Sequence, residues 1–174
     1  MLFPSGYIID ASDLTLDDMQ VYAKAWDVQL SLLGKGNYKG MIKALHTPNI
    51  QIGFTMHSLP VLIKGTFPKE TILLFFFHKG TAGSVYLDHK ISIDEVVIGQ
   101  EGEEIDFSTA QACNVITIAV EKHLFKTFFE NYFHCPLSSI MLDKKIILKE
   151  DHIEESISFF LSIIFKWGGK KINY

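Results

Sequence analysis

Seven histidines, two cysteines and a glycine-lysine-glycine turn are the residues of this chain whose types invite chemistry. His46, His57, His78, His89, His123, His134 and His152 are dispersed, with no HxH, HxxxH or HExxH spacing among them. No pair is therefore preset as metal ligands, and a metal site would have to be assembled wholly by folding. Cys113 and Cys135 form no CxxC pattern and read as inert thiols. Gly34-Lys35-Gly36 joins two strand-like runs and lacks the GK[ST] ending of a phosphate loop. No GxSxG nucleophile elbow occurs. Glu103 and Glu104 fall in an acidic turn, residues 100–104, without the alternating oxygen spacing of a calcium loop. These residues define no catalytic site, no metal and no cofactor, so the chain is not read as an enzyme.

The remaining chemical feature is an aromatic interior. Fourteen phenylalanines exceed what a core of this size requires. By strand parity Trp26, Tyr38, Phe54, Met56 and Phe67, joined by Phe76 from the run 75–77, line one concavity. Such a pocket suits a small, largely apolar ligand carrying a carboxylate or hydroxyl that a histidine meets. The competing use of the same rings is to fill the core.

Strands must position these rings. Val28, Leu30 and Leu32 alternate with Gln29 and Ser31, the glycine turn follows, and Tyr38, Gly40, Ile42 and Ala44 resume the alternation, which reads as a hairpin. After Thr47-Pro48-Asn49, a third run puts Ile50, Ile52, Phe54 and Met56 on one face and Gln51, Gly53, Thr55 and His57 on the other. Residues 59–67 continue in this style, with Pro60 early in the strand. Residues 71–77 are apolar on both faces and predict a strand with one side in a barrel and the other under a helix. Short strands follow at 85–87, 91–93, 96–98, 105–107 and 115–120, the spacing of a barrel or sandwich.

Helical periodicity brackets this β region. Residues 13–24 read as a short helix with Ser12 or Thr15 as N-cap. Leu124, Phe125, Phe128, Phe129, Tyr132 and Phe133 mark a second helix, and residues 151–167 a third, with Asp151 as N-cap and residues 168–171 as its stop. The apolar face of the third is wider than a surface helix needs and calls for two partners, either its own domain and a second subunit or, within one monomer, the Phe-rich helix and the barrel.

The 174 residues fit one domain, and nearly half are apolar. A net charge of -4 and the absence of arginine argue against direct nucleic-acid binding. The N-terminus has no basic and apolar signal pattern, and no apolar run approaches the roughly 20 residues of a membrane span, so a cytoplasmic protein with no membrane contact is expected.

From Trp26-Asp27-Val28-Gln29-Leu30 through Gly34-Lys35-Gly36-Asn37-Tyr38-Lys39-Gly40, the chain resembles the N-terminal regulatory domain of AraC/XylS-type transcription regulators, in the branch that includes ethanolamine-operon activators. The likeness is an aromatic residue before a Gln-Leu, a two-glycine turn, then an aromatic and another glycine, and it continues loosely over residues 10–130. It implies a cupin-like β-barrel or sandwich, mainly β, followed by two C-terminal amphipathic helices. It further implies a small-molecule effector or protein partner, a homodimer, and DNA contact only through a helix-turn-helix domain absent from this chain. The expected partition is a single domain, 1–174, with an N-terminal helix in 10–25, the barrel in 26–120, a helical dimerisation region in 121–168 and the start of a linker in 169–174. Ile153, Ile157, Phe160, Leu161 and Ile164 fall where that family dimerises. The alternatives are a cupin-type metalloenzyme and a stand-alone oligomerisation module with a filled barrel.

Overall fold

A strand that is apolar on both sides must lie inside a sheet with both faces covered. In the computed structural model, which describes residues 3, 8–23, 26–139, 146–149 and 152–167, this is β6 (Thr71–Lys79). Its neighbours in the larger, antiparallel sheet are β11 (Cys113–Glu121) and β9 (Glu95–Gln100). Beyond β11 lie β4 (Ile50–His57), β3 (Gly40–His46) and β1 (Ile8–Leu14), and β12 (Ile146–Lys149) extends the sheet past β9. The second sheet holds β2 (Val28–Leu32), β5 (Val61–Thr66), β10 (Glu104–Ser108), β7 (Val85–Tyr86) and β8 (His89–Lys90) in that order.

Strands β4 to β11 are divided between the sheets in the orders β4-β11-β6-β9 and β5-β10-β7-β8. That interleaving is a double-sheet jelly roll, the arrangement of cupins. The fold is therefore the expected one, a mainly β, cupin-like sandwich with helices after it. The inner faces of the two sheets share one apolar cluster, including Leu73, Phe77, Ile105, Phe107, Val115 and Ala119.

Three α-helices complete the described chain, with a 3-10 turn at Leu137–Ser139. α1 (Leu16–Ala23) is capped by Thr15, whose hydroxyl accepts from the Asp18 amide while the Asp18 carboxylate accepts from the Thr15 amide, a reciprocal box. α2 (Lys122–Phe133) is capped by Glu121, whose carboxylate accepts from the His123 and Leu124 amides. It ends where His134 turns left-handed at φ 53°. α3 (Ile153–Trp167) lies on the outer face of the larger sheet.

The structure corrects several expectations. Residues 10–14 are not the start of a helix. They belong to β1, whose pairing with β3 delays the helix to Leu16. Residues 28–44 are not a hairpin either, because β2 pairs with β5 in one sheet and β3 with β4 in the other. The segment between them carries the chain from sheet to sheet. Gly36 sits there at φ +140°, a backbone conformation that side-chain-bearing residues rarely adopt. Ile91 to Ile93 form no strand; the Glu95 carboxylate accepts from the Ser92 amide and meets the His89 ring, holding a turn. The Asp151 cap, Lys24 and the stop and linker at 168–174 lie outside the described residues.

The proposed dimer residues also find other neighbours. Ile153, Ile157 and Ile164 are buried against the chain's own sheet, in a cluster with Phe54, Phe76, Ile116 and Ile118. Phe160 and Leu161 pack at its margin, and the Phe160 ring lies 5.4 Å from Phe76. The widest apolar stripe goes to the nearest large dry surface, which is intramolecular. Ile157, only 3% exposed, should lose about 2–5 kcal/mol of unfolding free energy on replacement by alanine. Urea titration checks this, and a loss below about 1 kcal/mol would show that α3 does not depend on this contact.

Candidate functional site

Between the two sheets lies a cavity of about 760 Å³, in the range of small-molecule sites. Its floor follows from strand register. On β4 the inward residues are Gln51, Gly53, Thr55 and His57, and each begins a row across the sheet. Ala44, Gly53, Thr117 and Phe75 make one row, and Ile42, Thr55, Val115 and Phe77 the next. The first row is hollow because three of its four members are small. A Cβ on Gly53 would stand 2.8 Å from Thr117 Oγ1, so even a methyl group there would displace the threonine. The opposite wall comes from Val28, Leu30, Ile63, Tyr86, Ile105 and Phe107 of the second sheet. Residues of α1, with Trp26, flank one side. The exposed Val21 and Lys69 mark where the space reaches solvent.

Few polar groups face this apolar space. His57 is 2% exposed, and burial lowers its pKa from the ordinary 6.5 to about 4, so the imidazole is neutral at physiological pH. Its Nδ1 shares a 2.7 Å hydrogen bond with the Tyr38 hydroxyl, itself made harder to ionise by burial. At the other end of β4, His46 Nε2 and Gln51 Nε2 are 2.6 Å apart, with Phe3 tilted over the His46 ring. Burial also lowers the His46 pKa. Gln51 Oε1 is buried with no hydrogen-bond partner among the described residues. No group of three or more His, Cys, Asp or Glu side chains able to hold a metal is found among those residues.

Of the six residues named for the pocket, Trp26 lines the cavity. Tyr38 stands behind the wall, holding His57. Phe67 is buried in the inter-sheet core, edge-on to Phe75 with ring centroids 5.7 Å apart. Phe54, Met56 and Phe76 lie on the opposite face of the sheet, beneath α3. The parity is thus the reverse of the one expected. Because both faces of β4 are covered, its apolar stripe marks the α3 side, and the mixed stripe Gln51, Gly53, Thr55 and His57 faces the cavity. From β6, Phe75 and Phe77 line the cavity in place of Phe76. One signal in the sequence pointed this way: residues 71–77, apolar on both sides, already require a sheet covered twice. The site residues missed were therefore His46, Gln51, Gly53, Thr55, His57 and Thr117.

No family model matches the chain, and no match is found among curated proteins. Among solved structures, the chain is similar to the Clostridium difficile EutQ protein, at 19% identity and a TM-score of 0.37, over 54% of this chain and 81% of that one. It is also similar to the cupin domain of Schizosaccharomyces pombe Cnp3, at 13% identity and a TM-score of 0.39, over 72% of this chain and 94% of that one. The cupin-like assignment rests on the strand order itself. No helix among the described residues is long and apolar enough to cross a membrane.

The depressed His57 pKa has a definite sign in stability. Below about pH 6.5 the unfolded chain takes up a proton that the folded chain refuses until about pH 4, so acidification through this window favours unfolding. The shift corresponds to about 3 kcal/mol, present in full above pH 6.5 and lost by about pH 4. His57→Gln keeps a partner for Tyr38 but does not titrate. Its stability should fall by about 3 kcal/mol less than that of the wild type between neutral pH and pH 4, measured by urea unfolding. Parallel pH profiles for the two proteins would contradict the assignment.

Proposed function

We propose that this domain is the effector-sensing and dimerisation module of an AraC-type transcription regulator, in which a small molecule held between the sheets controls an attached helix-turn-helix DNA-binding domain. The observation that carries the reading is the cavity of about 760 Å³, mainly apolar, with Gln51, Thr55 and His57 of β4 among its few polar groups. A core built only for stability leaves no such volume, because an empty space forfeits packing contacts on every side. Strands β4 and β6 connect the site to the outside of the domain. Gly53 and Thr55 face the cavity, while Phe54 between them meets Phe165 of α3 edge-on, with centroids 5.5 Å apart. Phe75 and Phe77 face the cavity on either side of Phe76, which meets Phe160. A ligand that favours one setting of these strands also favours one placement of α3, which is a population shift.

Self-association in this reading uses the aromatic residues that the fold leaves exposed. Phe128 and Tyr132 on α2 are 64% and 68% exposed, and Phe133 and Phe159 are also largely open to solvent. The homodimer and the cytoplasmic setting belong to this proposal.

Two measurements test it. Native mass spectrometry after exposure to the small-molecule fraction of a cell extract should find one ligand per chain, absent when Gly53→Leu fills the cavity. A domain that retains nothing, or a Gly53→Leu variant that retains the same ligand, would sink the sensing role. Sedimentation equilibrium should show a dimer that the double variant Phe128→Glu, Tyr132→Glu converts to monomer. These exposed changes should alter unfolding free energy by no more than about 0.5 kcal/mol. A wild type that stays monomeric at high concentration would remove the dimerisation role.

A further inference from the structure

The charge inventory of the cavity narrows its occupant. Among the described lining residues there is no aspartate and no glutamate, and the one lysine, Lys69, is exposed on the turn before β6. A carboxylate or ammonium taken out of water costs far more than a neutral group unless a counter-charge meets it. Among the described residues the interior offers none. The two histidines do not supply a positive charge, because burial holds both in the neutral form.

One buried group asks for a partner. Gln51 is 8% exposed and lines the cavity, its Nε2 lies 2.6 Å from His46, and its Oε1 accepts no hydrogen bond among the described residues. A buried amide oxygen left in this state is costly, and a donor from a ligand would relieve it. Along β4 from Gln51, the inward positions are Gly53, which adds no side chain, and Thr55. Beside them Phe75 and Phe77 present rings, and Trp26 another. The walls are suited to an apolar body and the Gln51 end to a single neutral donor.

We infer that the cavity takes an uncharged, mainly apolar hydroxy compound, a hydrophobic alcohol or phenol, whose O–H donates to Gln51 Oε1. This rests on the sensing role proposed above and selects the hydroxyl over the carboxylate that the sequence left open beside it. A hydroxyl both donates and accepts, so it satisfies Gln51 without bringing a charge into the interior.

Isothermal titration of the full chain at about pH 7.5 with a matched pair, 4-butylphenol and 4-butylbenzoate, tests the inference. The phenol is neutral at this pH and the benzoate ionised. The phenol should bind at least about tenfold more tightly, a difference of about 1.4 kcal/mol. Gln51→Leu should weaken the phenol by about tenfold and leave the benzoate, already disfavoured by its charge, unchanged, and Gly53→Leu should abolish binding of both. Thr117→Leu fills the same row if Gly53→Leu does not fold. Equal or tighter binding of the benzoate, lost on filling the cavity, would overturn the hydroxyl assignment and leave the sensing role standing. Phenol binding that Gln51→Leu leaves unchanged would overturn the role of Gln51. If neither compound binds, or if both bind the cavity-filled variants as before, the sensing role fails and this inference fails with it.

Discussion

Ile157 and Ile164 of α3 pack with Phe54, Phe76 and Ile116 on the outer face of the seven-stranded sheet, while the second sheet covers its inner face. This double covering constrains everything else. A sheet exposed on one side sorts its residues into apolar and polar stripes, but one covered twice sorts them by which neighbour they meet. On β11 the outward residues Ile116, Ile118 and Val120 serve the helix, and the inward residues Val115 and Ala119 serve the inter-sheet core. β4 divides its residues the same way and becomes the floor of the cavity.

The cavity exists because the inner stripe is not uniformly large. Stacked sheets stand about 10 Å apart, and side chains from both normally interdigitate to fill the gap. The row Ala44, Gly53, Thr117 contributes too little volume to do so. The groups around this space carry costs that an ordinary core avoids. His57 gives up its protonated form, and Gln51 keeps an amide oxygen without a partner among the described residues. Small residues on β3, β4 and β11, with a neutralised imidazole and a buried acceptor on β4, leave an open space where a filled core would have been more stable.

α2 stands apart from this economy. None of its residues is buried, and its aromatic side chains contact mainly one another, with Phe129 and Phe133 rings 4.6 Å apart and Phe128 stacked on Tyr132 at 5.8 Å. Its helical form comes from local signals, the Glu121 cap at one end and the left-handed His134 at the other. α3, by contrast, is held by its contact with the sheet. The two helices therefore differ in kind, and the one with the narrower apolar stripe is the one left uncovered.

Local patterning carried much of this in the sequence. The alternation of residues 50–57, the doubly apolar run 71–77 and the helical spacing of residues 124–133 each correspond to an observed element, because period and burial are linked within a single strand or helix. Many short strands in succession pointed to a barrel or sandwich, the jelly-roll order itself needed the strand pairing, and the absence of preset metal or nucleophile motifs is a property of spacing alone. Partner choice is not local. Whether residues 28–32 pair with 40–46 or with Val61–Thr66, and whether 10–14 begin a helix or edge a sheet, depended on which distant strand offered free backbone groups. The inward face of β4 was likewise decided by tertiary structure: Phe54 and Gln51 are both consistent with an interior, and only the arrival of α3 on one side assigned the aromatic residue to the helix and the amide to the cavity.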